Sequence, residues 1–279
     1  MSVPENEWWT PWREIEGAEL IHVDLRPDPE REAFAFSLLD DEEKARLRRF
    51  VVERAKRQFV LCRGALRIQL SQRLDCSNRP LSFDYLEHGK PVARVNGRRD
   101  TIGFNVSHGG RHGLMAFSER GELGVDVEER LPRRDLDGIG SKVNGPLERQ
   151  TLAAAAGAQK VHLFYRLWSL KEALIKALGT GFSLNPSRFE VPEAMLEGAR
   201  SSDFRFPHSP DSRWRLHDLG EPRFAAALAW RVHSCRSARC VASPIPPAMR
   251  LYRPWRYDRT DKERRKVTPP ITSRADGQS

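Results

Sequence analysis

Apolar and polar residues alternate through ELIHVDL at 19–25, the period of a strand with one buried face. Residues 1–16 are rich in tryptophan, punctuated by proline, and carry no clear period. Asp40 followed by Glu43 has the spacing of a helix start in which each side chain satisfies a backbone N–H of the other. A helical pattern then runs from about 41 to about 73, as one helix or as two. Short strands follow in 81–95, broken by a turn at His88-Gly89. FNVSHGGRHGLMAFS at 104–118 reads as a hairpin turning at Gly109-Gly110, and GELGVDVEE at 121–129 as another strand. Loop and an alanine-rich helix fill 130–160. A strong helix at 161–181 carries Leu167, Leu170, Leu174 and Leu178 on one stripe and stops at Gly179 and Gly181. Strand-like pieces at 187–191, 213–218 and 223–233 close the pattern.

Both parts of the chain therefore pair a long helix with short strands, which divides it into halves at 1–120 and 121–234. The period dissolves beyond residue 234, and 235–279, rich in proline and arginine, reads as a disordered basic tail. That tail changes the meaning of the net charge of +9. From Cys240 to Ser279 nine lysines and arginines face four acids, so the body is only mildly basic. A mildly basic body suits anionic ligands better than nucleic acid. No apolar run approaches the roughly 18 residues of a membrane span, and the N-terminus lacks the basic start and apolar stretch of a secretory signal. The expectation is a cytoplasmic protein without a membrane anchor. Cys62, Cys76, Cys235 and Cys240 form neither a CxxC pair nor a zinc-ligand spacing with histidine.

Three constellations carry candidate chemistry. In a strand at 124–128, Val125 and Val127 turn to the core, and Asp126 and Glu128 share the other face. Two carboxylates so placed suit magnesium, and equally suit a solvated strand face. In the helix, Glu172 and Lys176 lie four apart and neighbour each other, as any surface ion pair does. Ser107 and His108 end a strand, where they can bind phosphate, but adjacent strand residues point apart and make a poor nucleophilic dyad. His108 and His112 have the spacing of helical zinc ligands, yet Gly109 and Gly110 between them exclude the helix.

FNVSHGG, GVDVEE and FYRLWSLKEALIKALGTGFSL, in this order, resemble the signature of the 4′-phosphopantetheinyl transferase superfamily, over about residues 20–232. Their spacing and the two-half layout are similar to its monomeric, surfactin-synthetase-activating type. The resemblance implies an α/β (α+β) fold of two similar subdomains in pseudo-twofold arrangement, each a small sheet packed with a long helix, with coenzyme A in the cleft between them. It implies magnesium-dependent transfer of the phosphopantetheine arm of coenzyme A to a serine of an apo acyl or peptidyl carrier protein, with release of 3′,5′-ADP. Asp126, Glu128 and Glu172 match the family's metal-binding acids. Glu172 also matches the proposed general base, and Lys176 the lysine facing the pyrophosphate, with His108 assisting. Ser107, His108, Lys90 and Pro91 match residues that contact coenzyme A, and Lys44 and Arg46 the basic residues at its 3′-phosphate. Glu148 stands where an acid often lies near the site. The family usually has an arginine where this chain has Gln58. Either Arg57, about 100° around the helix, serves instead or the contact is weakened. Two other readings of the sequence are a family member that binds without catalysing, and a basic nucleic-acid-binding protein.

Overall fold

A computed structural model describes residues 8–119, 122–132, 135–179 and 184–232; the tail from 235 lies outside the described residues. The chain opens with a hairpin of strands β1 (Trp9–Ile15) and β2 (Ala18–Asp24). Helices α1 (Pro29–Leu38), α2 (Asp41–Leu47) and α3 (Glu53–Arg73) follow. Asp40 and Glu43 cap α2 reciprocally, as their spacing predicts. The long pattern at 41–73 is two helices, separated around Val51 and Val52, adjacent β-branched residues of low helix propensity. Strands β3 (Leu81–Tyr85), β4 (Pro91–Val95) and β5 (Arg98–Arg99) make a small antiparallel sheet. Strands β6 (Gly103–Gly109) and β7 (His112–Ser118) form the expected glycine-turned hairpin, which joins β2 through β7.

The second half begins with β8 (Leu123–Glu129), then α4 (Leu136–Val143), α5 (Pro146–Ala154) and the long α6 (Gly157–Leu178). A 3₁₀ turn (Pro186–Arg188), α7 (Glu193–Leu196) and strands β9 (Ser201–Phe206), β10 (Ser209–Asp218) and β11 (Phe224–Arg231) complete it. The expected strand at 187–191 is not formed: Asn185 caps the 3₁₀ turn through the Ser187 N–H, and the segment runs on as coil to Pro192.

The strand orders are β1-β2-β7-β6 and β8-β11-β10-β9. Each four-stranded antiparallel sheet carries one long helix, α3 or α6, so the fold is mixed α/β with two similar parts. Ile21, Val23, Phe104 and Met115 face α3 in one core. Leu167, Leu170 and Leu174 of α6 face Trp214, Leu216, Ala227 and Ala229 in a second. The opposite faces of the two sheets meet in a third core, where Leu20 and Leu114 join Val125, Val127 and Leu228. Burial of these apolar faces drives the assembly of the body.

Candidate active site

Strands β6 and β8 are the inner edges of their sheets, and the sheet ladders do not join them. Side chains stitch them instead. Asn105 Oδ1 accepts the Val125 N–H at 3.0 Å, and the Ser107 hydroxyl donates to Asp126 Oδ1 at 2.8 Å. At Gly109 an added Cβ would lie 2.4 Å from the Val127 carbonyl oxygen and 2.9 Å from Glu128 Cα, so only glycine admits the approach. Alternate residues of FNVSHGG thus run along GVDVE in matching order, which explains why both motifs are needed at this seam.

Helix α6 lies directly on β8 at Gly124. A Cβ there would sit 2.2 Å from Ala177 N and 2.3 Å from the Ala173 oxygen. This close approach sets the last turns of α6 over Asp126. Lys176 Nζ donates to Asp126 Oδ1 at 2.6 Å and to Ser107 Oγ at 2.8 Å. Asp126 is 2% exposed, and its second oxygen, Oδ2, is buried without a hydrogen-bond partner. Glu172 sits one turn before Lys176, half-buried. Burial pushes its carboxyl pKa up and the nearby Asp126 charge adds to that, while Lys176 opposes it. His108 is reached by solvent but crowded by protein on most sides. That crowding, and then the charge of Lys176, lower its imidazole pKa, so it is neutral near pH 7.

Among the described residues, no group of three or more His, Cys, Asp or Glu side chains could hold a metal ion. The three acids expected to share one ion are not gathered into such a set. The donors still fit a hard cation. Magnesium keeps several waters and takes substrate phosphate oxygens, so one or two carboxylates suffice, and Asp126 Oδ2 is a buried acceptor with no partner.

Beside His108 a cavity of about 170 Å³ opens between the β3–β4 sheet and α3. Arg46, Phe59, Arg63, Tyr85, Pro91 and His108 line it. Of the expected ligand contacts it brings together Arg46, Pro91 and His108. Ser107 is buried behind the cavity wall, bonded to Asp126 and Lys176. The remaining expected residues lie elsewhere. Lys44 sits over the Phe36 ring at 5.6 Å. Arg57 pairs with Glu32 Oε1 at 3.1 Å, while Gln58 Nε2 donates to the Gly110 carbonyl at 2.8 Å, so a register shift does not bring Arg57 into the arginine's place. The Lys90 ammonium donates to the carbonyls of Leu123 at 2.9 Å and Ala177 at 3.2 Å, and burial pushes its pKa down to about 8. It ties the β3–β4 turn to the start of β8 and the end of α6. Glu148 is fully buried, ion-paired to Lys171 and accepting from the N–H groups of Gly145 and Val191, both at 2.8 Å. It anchors α6 one residue before Glu172 and does not face the cavity.

Arg63 also lines the cavity and is singled out by no motif. Its one sequence signal is a cation within the run Gln58–Ser71, which is buried throughout. A larger cavity, about 800 Å³, lies beside Glu129, His22 and His112. Glu129 alternates with Val127, so this space opens on the opposite face of β8 from Asp126. Among its arginines, Arg26 is paired with Asp24 and Arg111 with Glu129, whereas Arg130 donates to the Glu221 carbonyl and keeps its Nε without a partner. Arg46, Pro91 and His108 line the smaller cavity and none of the expected site residues lines the larger, so the smaller is the candidate ligand cavity.

Residues 24–120 match the family model described as 4′-phosphopantetheinyl transferase, N-terminal, and residues 122–230 the model of the 4′-phosphopantetheinyl transferase superfamily. A putative 4′-phosphopantetheinyl transferase of Synechocystis sp. is 36% identical over 205 residues, 70% of this chain and 80% of that protein. The 4′-phosphopantetheinyl transferase HetI of Nostoc sp. is 32% identical over 57% of this chain and 66% of its own length. The 4′-phosphopantetheinyl transferase Sfp of Bacillus subtilis is 28% identical over 68% and 82%. With both halves matched and the motif residues meeting at one seam, this chain belongs to the 4′-phosphopantetheinyl transferase superfamily.

Proposed function

We propose that this chain moves the phosphopantetheine arm of coenzyme A onto a serine of an apo carrier protein, releasing 3′,5′-ADP, as a cytoplasmic monomer of the surfactin-synthetase-activating type. The observation that carries the reading is the convergence of Asp126, Ser107 and Lys176, with Glu172 and His108 beside them, next to a cavity walled by arginines. Among the described residues no helix is long and apolar enough to cross a membrane, and the ligand face needs no nucleic acid to account for its charge.

Asp126, with Glu172 from α6, would hold magnesium, which when bound would neutralise charge on the pyrophosphate. The remaining chemistry falls to the chain. Glu172, its pKa raised by burial, takes the proton of the carrier's serine hydroxyl. The serine oxygen forms a bond to the β-phosphorus, and the bond from that phosphorus to the bridging oxygen breaks. The electron pair leaves on 3′,5′-ADP. Lys176, already held by Asp126 and Ser107, points its ammonium where that charge grows. His108, being neutral, stabilises the phosphate by donating an N–H, not by its charge. Ser107 is buried and its hydroxyl spent on Asp126, so it positions Lys176 and is not a nucleophile.

The test is incubation with coenzyme A, magnesium and a panel of apo fatty-acid, polyketide, peptide-synthetase and lysine-biosynthetic carriers, read by mass spectrometry. A carrier should gain the mass of one arm. Glu172→Gln should cut turnover by about 10²-fold, the lower end of what a general base supplies. Coenzyme A binding without transfer to any carrier would favour a binding protein over an enzyme.

A further inference from the structure

The larger cavity, about 800 Å³, is lined by residues that the transfer chemistry does not use. We propose that it is a second binding site, for a small polyanion carrying two or more phosphate or carboxylate groups, which it holds by arginines from both halves of the chain.

Arg26, Arg31, Arg111, Arg130 and Arg223 line it, against only two acids, Asp24 and Glu129. His22 and His112 add no charge near pH 7: burial lowers both imidazoles, that of His112 to about 4, and the two rings are hydrogen-bonded to each other at 3.0 Å. The two acids answer the arginines of the first half. Arg26 pairs with Asp24 at 2.6 Å, Arg31 lies 3.6 Å from the same carboxylate and 3.2 Å from Asp28, and Arg111 pairs with Glu129 at 2.9 Å. The arginines of the second half are poorly matched. Arg130 Nε is buried with no partner, and its NH1 donates to the Glu221 carbonyl. Asp218, which steadies the Arg130 charge, is already bonded by Arg166 at 2.7 Å and Arg200 at 3.1 Å. Arg223 reaches Glu221 only at 3.5 Å, and that carboxylate also accepts from Trp12 Nε1 at 3.0 Å. Even with Asp28 and Glu221 counted from outside the lining, the arginines outnumber the acids.

Guanidinium donors left unspent in a cavity call for oxyanion acceptors, and their forked geometry matches phosphate and carboxylate. Arg111 enters from the turn between β6 and β7, Arg130 follows β8 and Arg223 precedes β11, so an anion with several charged groups can meet both halves at once. The volume falls within the roughly 300–1,000 Å³ of small-molecule sites, room for more than a lone ion. Trp8, Leu131 and Pro222 add apolar lining for an organic body. The Gly109-Gly110 turn divides the two cavities, with His108 lining the smaller and Arg111 and His112 the larger.

The experiment titrates inorganic pyrophosphate and citrate, a phosphate and a carboxylate form of this chemistry, separately into the full chain by calorimetry without magnesium. The same titrations are made on Arg111→Gln/Arg223→Gln and on Arg46→Gln/His108→Gln, which alters only the lining of the smaller cavity. At least one probe should bind the unaltered chain, and the probe that binds tells phosphate from carboxylate ligands. Its Kd should rise about tenfold or more in Arg111→Gln/Arg223→Gln, the loss of one charge-assisted hydrogen bond, and stay within about twofold in Arg46→Gln/His108→Gln. Should the first double variant not fold in urea unfolding, Arg223→Gln alone is measured by the same ratio, since that side chain is 71% exposed. Failure of both probes to bind the unaltered chain overturns the proposal. So does an affinity that survives loss of Arg111 and Arg223, or that falls by one common factor in both double variants.

Discussion

Gly124→Ala changes one hydrogen for a methyl group, yet it should cost this enzyme most of its turnover. The new Cβ would meet Ala177 N at 2.2 Å, the Ala173 oxygen at 2.3 Å and the Lys176 carbonyl carbon at 2.8 Å, against about 3.4 Å for an ordinary contact. These are backbone atoms of α6, so no side chain can swing away. The helix must retreat from β8 by about 1 Å. Overpacking of this kind costs roughly 1–3 kcal/mol, which a folded chain of this size survives. The larger effect falls on Lys176, whose bonds to Asp126 and Ser107 at 2.6 and 2.8 Å would be drawn out. A misplacement of about 1 Å at a reacting centre costs about 10²-fold in rate. The assay is transfer to an apo carrier at saturating coenzyme A, with urea unfolding in parallel. Turnover should drop about 10²-fold, and KM for coenzyme A should move less, because the candidate ligand cavity lined by Arg46, Pro91 and His108 stands on the other half. If turnover stays within about threefold of the unaltered chain, the close packing of α6 on Gly124 is not what positions Lys176.

Removing Glu148 should be severe for stability. Glu148→Ala leaves Lys171 buried and uncompensated, at a cost of about 3–5 kcal/mol in urea unfolding, and adding Lys171→Met should restore much of it. Lys90 should leave a signature in the pH dependence of stability. Its folded pKa of about 8 lies below the ordinary 10.5, so the burial penalty is felt below pH 8 and is relieved as pH rises toward 10.5. At about 1.4 kcal/mol per tenfold change in proton affinity, discounted for solvent at the rim, the relief is on the order of 1–3 kcal/mol. Unfolding free energies between pH 7.5 and 10 should show this rise in the unaltered chain and lose it in Lys90→Met; equal slopes would reject the assignment.

Periodicity made much of this fold legible. The strand at ELIHVDL, the Asp40–Glu43 cap and the Leu167–Leu178 stripe all depend on neighbours a few residues away and are found in place, although β2 is buried on both faces, Leu20 in one core and Ile21 and Val23 in another. Strand β1 escaped because Pro11 and the register shift before Arg13 break its alternation. Motifs single out Ser107, His108, Asp126, Glu172 and Lys176, and of these Ser107, Asp126 and Lys176 are hydrogen-bonded to one another. The site was not legible where long-range packing decides. Nothing local tells that Lys90 turns its ammonium to carbonyls 33 and 87 residues away, or that Glu148 is buried against Lys171.

The seam between β6 and β8 has a consequence for the halves as separate molecules. No strand ladder joins β6 to β8, and the edge of β8 is met by a side chain of the other half, as Asn105 meets Val125. A chain severed between β7 and β8 would yield two fragments that each display a raw strand edge and the apolar sheet face of the shared core. Expressed singly, such fragments would self-associate. Expressed together, each is the other's obligate chaperone, and recovered transfer activity would count reassembled pairs, which makes the enzyme a natural candidate for fragment complementation.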